Sequence, residues 1–215
     1  MDKSRKIKLE NVLPADIERR SFEIIGEELR ERGIRLDEEL APVIKRVIHT
    51  TADFDYVNTL CFSAHAVEHL KQAILHGACI VTDTQMARSG INKKELAKYG
   101  GEVYCFMSDE DVAETAKQMQ TTRAVASMDK AALLNKDIIF AVGNAPTALV
   151  RLYELMRKEK LSPKGIIGVP VGFVNVVEAK ELILQTDAPY IVARGRKGGS
   201  NVAAAICNAL LYMMR

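Results

Sequence analysis

The sequence predicts an α/β fold: a mostly parallel five-stranded sheet with helices on both faces, plus an N-terminal helical arm. Three observations predict it. Helical apolar spacing dominates the first 77 residues, short apolar runs then alternate with helical stretches, and these runs are continuous in Ile, Val and Ala. Continuous apolar strands are typical of a sheet buried on both faces, and intervening helices are typical of right-handed parallel crossovers.

The arm, residues 1–77, contains three predicted helices. In the first, Ile17, Phe22, Ile25 and Leu29 recur at helical spacing, and Gly33 ends the run. The predicted arm helices are 14–32, 37–49 and 63–76.

The sheet core, residues 78–215, alternates strands and helices. A boundary near residue 77 would separate it from the arm, but the arm is too short to fold alone, so we predict one domain over 1–215. The predicted strands are 78–81, 103–107, 137–142, 165–171 and 189–193, and the predicted helices are 109–134, 146–160, 175–185 and 200–214.

Composition excludes several classes of protein. With 48% hydrophobic and 27% charged residues the chain is not intrinsically disordered, and a formal net charge of +2 argues against a nucleic-acid or anionic-membrane partner. The longest apolar stretch, 203–214, is broken by Asn208 and is too short to span a membrane. The first ten residues do not form a secretory signal, and the four cysteines form no Cys-x-x-Cys pair, so we expect a soluble, cytoplasmic protein.

Four corners that follow predicted strands are rich in small and polar residues. Ligands of parallel sheets bind outside the carboxyl ends of the strands, where helix N-termini offer free N–H groups. The last corner is the sharpest, because Arg194, Arg196 and Lys197 precede a Gly-Gly-Ser entry into the final helix, which suits a carboxylate or phosphate. A purely structural alternative is a tight glycine turn with Ser200 as helix cap. The corners are 82–85, 143–147, 168–175 and 194–200.

Histidines suggest two further hypotheses. His65, Glu68 and His69 match the H-x-x-E-H spacing of some zinc peptidases, with His76 on the same predicted face, although a solvated polar face is the favoured interpretation of the stripe. His49 ends a predicted helix before a segment rich in Asp, where a carboxylate could orient its imidazole for proton transfer near neutral pH. A favourable cation at a helix C-terminus is the alternative for His49, and both remain open.

Taken together, these segments resemble the precorrin-8X or cobalt-precorrin-8 methylmutases of corrin biosynthesis. The resemblance extends over nearly the whole chain and preserves the order of several long motifs. The matching segments are 18–25, 47–49, 143–149, 168–174 and 194–200.

The resemblance implies an isomerase of cobalamin (vitamin B12) biosynthesis. In this family a methyl group moves from C11 to C12 of the tetrapyrrole, giving cobyrinate or hydrogenobyrinate, and the resemblance assigns His49 as the proton donor and acceptor. It implies no cofactor, methyl donor or protein-bound metal, since any cobalt arrives in the substrate. It also implies a homodimer with the site near the subunit contact, and the sequence of 53–56 favours the cobalt-containing substrate.

The substrate of this family carries many acetate and propionate carboxylates, which the cationic corner would bind. Asn92 stands where the family usually has threonine. The alternatives to this isomerase are a non-catalytic tetrapyrrole carrier and a zinc hydrolase built on His65, Glu68 and His69. The expected substrate-binding residues are Ser21, Thr84, Asn92, Arg123, Asn144, Arg194, Arg196 and Ser200.

Overall fold

The structure is a computed structural model and describes residues 10–215. The chain forms two compact units, the first ending at Arg35 and the second spanning Leu36–Arg215. The first unit contains a 3-10 turn, Pro14–Asp16, followed by helix α1, Ile17–Glu31. Gly33 follows at φ +69°, a conformation that glycine adopts easily and that ends the helix where the sequence predicts.

The second unit contains a six-stranded sheet, so the prediction of an α/β fold is confirmed but the number of strands is wrong by one. The missed strand, Leu60–Phe62, pairs antiparallel with the last strand, whereas all other neighbours are parallel. Three residues directly after a helix are too few to show a strand period. The strands are β1 Leu60–Phe62, β2 Cys79–Thr82, β3 Val103–Tyr104, β4 Ile138–Val142, β5 Gly165–Gly168 and β6 Tyr190–Ala193, in the order β1-β6-β5-β4-β2-β3.

Ten helices are described in the second unit. The prediction of one long helix over 109–134 is wrong, because the segment forms two helices. The first ends before Gln120, whose φ is +51°. The second begins after Thr122, whose hydroxyl caps it by accepting a hydrogen bond from the Val125 amide. Three short helices, at Tyr56–Thr59, Gln85–Gly90 and Lys93–Ala97, have no counterpart in the prediction. The helices are α2 Ala41–Thr51, α3 Tyr56–Thr59, α4 Ala66–Leu75, α5 Gln85–Gly90, α6 Lys93–Ala97, α7 Glu110–Gln118, α8 Arg123–Ala132, α9 Pro146–Arg157, α10 Val176–Leu184 and α11 Ser200–Tyr212.

The sheet is buried on both faces, as predicted. In β4, Ile138, Phe140 and Val142 join the core formed with α7 to α10, while Ile139 and Ala141 alternate with them and are buried on the other side. Helices α4, α5 and α11 contact β5, β2 and the β4–β5 pair. Because β1 lies before residue 77, the sheet also extends into the predicted helical arm. Among residues 10–215, no helix is both long and apolar enough to cross a membrane.

Candidate active site

The carboxyl edge of the sheet brings the four predicted corners together. The hydroxyls of Thr84, after β2, and Ser200, at the start of α11, are 2.7 Å apart. The Gly199 amide donates to the Val169 carbonyl at 2.8 Å, and a Cβ built on Gly143 would lie 2.7 Å from Ser200 Cα. The Ser200 hydroxyl therefore forms its hydrogen bond with Thr84 of the neighbouring 82–85 corner. The hypothesis that Ser200 caps the helix is wrong, because Gly199 occupies the cap position.

Asp83, which the sequence analysis missed, occupies the amino end of α9. Its side chain is buried, and its carboxylate accepts hydrogen bonds from the amides of Gly143, Asn144 and Ala145 at 2.6–2.8 Å. Burial raises the pKa of Asp83, and the three amides oppose that rise. The N–H groups that make a helix N-terminus an anion site are therefore used by the protein's own carboxylate at this corner.

Lys197 links the 194–199 loop to the segment that follows α2. Its ammonium lies 2.6 Å from a carboxylate oxygen of both Asp53 and Asp55. These contacts raise the pKa of Lys197, and the hydrogen bond from Lys197 lowers the pKa of Asp53. Lys197 is thus neutralised by two carboxylates and fixes the position of the loop.

The two arginines of the same loop differ in their surroundings. Arg194 forms an ion pair with Glu181 of α10 at 3.2 Å, and both side chains are largely exposed. The Arg196 guanidinium forms no salt bridge within residues 10–215 and lies 5.3 Å from the centre of the Phe173 ring. Phe173 is 80% exposed, so Arg196 and Phe173 together present a cation and an apolar ring to a ligand.

Lys180 of α10 is a second residue that the sequence analysis missed. Its side chain is fully buried, and its ammonium donates to the carbonyls of Gly195 and Lys197 at 2.7 and 2.8 Å. Burial lowers its pKa from 10.5 to about 8. A signal was present, because a lysine interrupts the apolar face of α10 between Ala179 and Ile183, which are buried.

His49 lies in the last turn of α2 and is exposed. The helix ends at Ala52, which is in the left-handed conformation at φ +53°. The next residue, Asp53, binds Lys197, so the segment that follows His49 is attached to the cationic loop. One turn before His49, the Arg46 guanidinium lies 4.7 Å from the centre of the Tyr212 ring. Helix α2 packs against α11, so His49 lies between Arg46, which contacts Tyr212 of α11, and Asp53, which binds Lys197 in the loop before α11.

Asn92 lies at the other end of α11 from Ser200. Its side chain caps α6 by accepting from the Glu95 amide at 3.1 Å and donates to the Tyr212 hydroxyl at 3.2 Å. Tyr212 and Ser200 are twelve residues apart on one helix, which corresponds to about 18 Å. The structure therefore does not bring Asn92 to the carboxyl-edge corners, although its partner Tyr212 contacts the helix that carries His49.

Of the remaining expected binding residues, Arg123 and Asn144 are exposed, and Ser21 is half-buried. Arg123 is the first residue of α8, and the preceding Thr122 hydroxyl lies 3.1 Å from that of Thr147 in α9, next to the 143–147 corner. The backbone N–H of Asn144 donates a hydrogen bond to Asp83, and the Asn144 side chain is exposed. Ser21 belongs to the first unit, where its hydroxyl donates to the Ile17 carbonyl at 2.9 Å.

Pockets occur at both edges of the sheet. One of about 410 Å³ lies along α8 and α9 and is lined by Thr121, Thr147 and Asn175, which follow the carboxyl edge. Asn175 has φ +55° and makes no side-chain hydrogen bond as the cap of α10. A pocket of about 600 Å³ is formed before β5 and β6, at the amino edge, away from the expected site.

The histidine pattern does not form a shared metal site. His65 precedes α4 in the left-handed conformation, 6.3 Å from the His69 ring, and Glu68 binds Lys71 and Gln72. Within the part of the chain that the structure describes, no group of three His, Cys, Asp or Glu residues could hold a metal ion.

Known proteins resemble this chain over most of its length. The family described as precorrin-8X methylmutase matches residues 16–213. The chain is 50% identical over 208 residues to the cobalt-precorrin-8 methylmutase of Salmonella typhimurium, covering 94% of this chain and 96% of that protein. It is 47% identical over 210 residues to the cobalt-precorrin-8 methylmutase of Leptospira interrogans, with 94% of each covered. The crystal structure of precorrin-8X methylmutase from Thermus thermophilus superimposes with a TM-score of 0.82 at 39% identity, covering 92% of this chain and 96% of that one.

These matches confirm the predicted family and the isomerase prediction. The relatives are methylmutases, so neither the non-catalytic carrier nor the zinc hydrolase is supported. The chain belongs to the precorrin-8X methylmutase family and is an isomerase of cobalamin biosynthesis that shifts a methyl group within its tetrapyrrole substrate.

Proposed function

We propose that this chain moves the methyl group of precorrin-8 from C11 to C12 with His49 as general acid and base. The observation that carries the proposal is the attachment of the segment after His49 to the cationic loop through the Asp53–Lys197 ion pair. A solvent-accessible imidazole next to a loop that displays Arg194 and Arg196 suits a macrocycle with a carboxylate rim.

In the proposed reaction, the His49 imidazolium donates a proton to the conjugated ring. The proton withdraws electron density, the C11–methyl bond breaks and the C12–methyl bond forms with the same electron pair. The proton then returns to the imidazole, so no proton, electron or methyl group is gained or lost overall. An internal shift of this kind needs no methyl donor and no redox cofactor, and we propose that the enzyme uses none.

The carboxyl edge would hold the substrate by its rim. Arg196 and Phe173 support this proposal, because a guanidinium without a salt bridge in the described chain stands beside an exposed aromatic ring. A flat conjugated ligand with peripheral carboxylates matches both groups. We assign Arg194, Arg123 and the Ser200 end of α11 to further rim carboxylates, with Thr84 and the Asn144 side chain as hydrogen-bonding partners.

We propose a structural role for Asn92 and not a role in substrate binding. Its amide already caps α6 and binds Tyr212, so we propose that it supports the end of α11 instead of contacting a rim carboxylate. We also propose the cobalt-containing substrate, because the relatives from Salmonella typhimurium and Leptospira interrogans are named for cobalt-precorrin-8. In that case cobalt is part of the substrate.

The test compares His49→Gln with His69→Gln, which changes another exposed histidine outside the proposed site. We expect His49→Gln to lower kcat by about 100-fold to 10,000-fold, because general acid catalysis is lost. Binding of the product should change by less than about threefold, since the rim contacts remain. Conversion of precorrin-8X and of its cobalt form is followed by the ultraviolet–visible spectrum.

Two outcomes contradict the proposal. Normal turnover by His49→Gln would remove its catalytic role, and a large loss in His69→Gln alone would favour the other histidine. Preference for the metal-free substrate would contradict the cobalt assignment. The expected homodimer is tested separately by sedimentation equilibrium, and a monomer at working concentrations would contradict it.

A further inference from the structure

Three of the six residues of the 194–199 loop are glycines, which do not restrict the backbone to one conformation. Gly195, Gly198 and Gly199 have φ values of +73°, +159° and +141°, conformations that glycine allows but does not enforce. The loop nevertheless carries Arg194 and Arg196, whose distance from each other and from α11 decides which carboxylates they can bind together. Something outside the loop has to fix its shape.

Lys180 is placed to do this from beneath the loop. It lies on the buried face of α10 and donates to the Gly195 and Lys197 carbonyls, which are on either side of Arg196. Two hydrogen bonds from one ammonium define the path of the three residues 195–197. On the outer side of the loop, Lys197 is held by Asp53 and Asp55, so the segment is fixed from two directions.

The charge of Lys180 is not balanced by a carboxylate. No salt bridge to Lys180 is formed by the residues that the structure describes, and its known partners are the two carbonyls. A buried cation without a counterion is unfavourable for stability alone, and an apolar residue of similar volume would suit the core better. Its position beneath two surface arginines favours a role in binding an anionic ligand.

We propose that Lys180 is a positioning residue for substrate binding: it holds the 194–197 backbone so that Arg194 and Arg196 bind rim carboxylates of the tetrapyrrole together. The inference rests on the proposed function. Because Lys180 is fully buried, it acts through the loop and does not touch the substrate. Loss of its hydrogen bonds should therefore weaken binding more than it slows the methyl shift.

The first test measures the loop without substrate. Trypsin cleaves after Arg194, Arg196 and Lys197, and mass spectrometry locates each cut. In Lys180→Met, which removes the donors and keeps much of the volume, we expect cleavage at these bonds to rise about tenfold or more, because hydrogen bonds from a charged group are lost. Ile183→Ala is the matched control: it truncates a buried side chain of the same helix, and an aliphatic side chain cannot donate a hydrogen bond to the loop carbonyls.

The second test measures kinetics with cobalt-precorrin-8. We expect Lys180→Met to raise KM about tenfold while kcat changes by less than about threefold. If Lys180→Met does not fold, Lys180→Gln takes its place, since its amide keeps a donor. In Lys180→Gln we expect smaller but measurable increases in cleavage and KM, because its amide donates without the charge of the ammonium. Unchanged cleavage and KM in a folded variant overturn it, as do equal changes in Ile183→Ala. If wild-type protein does not convert the tetrapyrrole, the proposed function fails, but the trypsin result still decides whether Lys180 holds the loop.

Discussion

Replacing Asp83 by Asn tests whether the carboxyl edge is organised by a buried anion. The change keeps the shape of the side chain but turns one acceptor oxygen into an N–H₂ donor. In the wild type, one carboxylate oxygen accepts from Gly143 and the other accepts from both Asn144 and Ala145. An amide oxygen can serve at most one of these two positions, so at least one backbone N–H then faces another donor.

The magnitude follows from these contacts. If the amide oxygen takes the position that accepts two bonds, the Gly143 amide loses its partner in a buried site, and the other two bonds lose their charge assistance. Removing the ion also relieves the desolvation that raises the pKa of Asp83, which offsets part of the loss. We expect a net decrease of about 3 kcal/mol in the free energy of unfolding. For a chain of this size that corresponds to a Tm lower by about 6–12 °C.

Urea unfolding at neutral pH, followed by circular dichroism, measures the difference. Asp137→Asn is the control, because Asp137 is half exposed and its ion pair with Lys164, at 3.4 Å, should contribute less than about 1 kcal/mol. A loss below about 1 kcal/mol in Asp83→Asn would refute the reasoning, since the carboxylate could not then be the group that satisfies the three amides.

Three further predictions concern the neighbouring loop. Gly198→Ala would place its Cβ 2.1 Å from a backbone oxygen, so we expect its free energy of unfolding in urea to fall by more than about 3 kcal/mol. Gly195 has a positive φ but open space around it, so Gly195→Ala should lower the free energy of unfolding by about 1 kcal/mol. Equal losses in the two variants would contradict this. The pKa of Asp53 is lowered by Lys197, so the pair stabilises the fold above the ordinary value of 3.8 and ceases to do so as the pH falls through the lowered value. The stability advantage of wild type over Lys197→Met at pH 7 should therefore shrink below about pH 4, and a constant difference would argue against the pair. The pKa of Lys180 is lowered to about 8 in the folded protein, so the folded state loses this proton at a lower pH than the unfolded state. The free energy of unfolding of wild type should therefore rise by about 3 kcal/mol relative to Lys180→Met between pH 8 and 10.5. No rise would show that the ammonium is not desolvated.

Strand positions could be predicted from the sequence where apolar runs were long enough to show their character. Strand β4, with five buried residues, agrees with the prediction within one residue, whereas β1 has only three residues and pairs through contacts far away in the chain. The break at Gln120 was missed for a different reason. A non-glycine residue with positive φ gives little local signal, so the apolar spacing of α7 and α8 looked continuous.

The exposed polar residues of the candidate site could be proposed from the sequence, whereas the partners of its internal supports could not. Arg194, Arg196 and Ser200 stand out because three cations and two glycines precede a helix. Asp83 lies within one of the four polar corners and Lys180 interrupts the apolar face of α10, but their partners are backbone groups, which have no side-chain signature in the sequence. Only the folded chain shows which amides and carbonyls are left without a partner.

Asp83 and Lys180 are complementary solutions to one physical problem. Loops at the carboxyl edge of a parallel sheet leave backbone groups that the strands no longer pair. A buried carboxylate satisfies the amides after β4, and a buried ammonium satisfies the carbonyls after β6. With these backbone groups paired internally, Arg196 forms no salt bridge among residues 10–215 and Arg194 forms only an exposed one with Glu181, so both can bind a ligand. The carboxyl edge can therefore be rigid and cationic at once, which is what the proposed binding of a polyanionic macrocycle beside His49 requires.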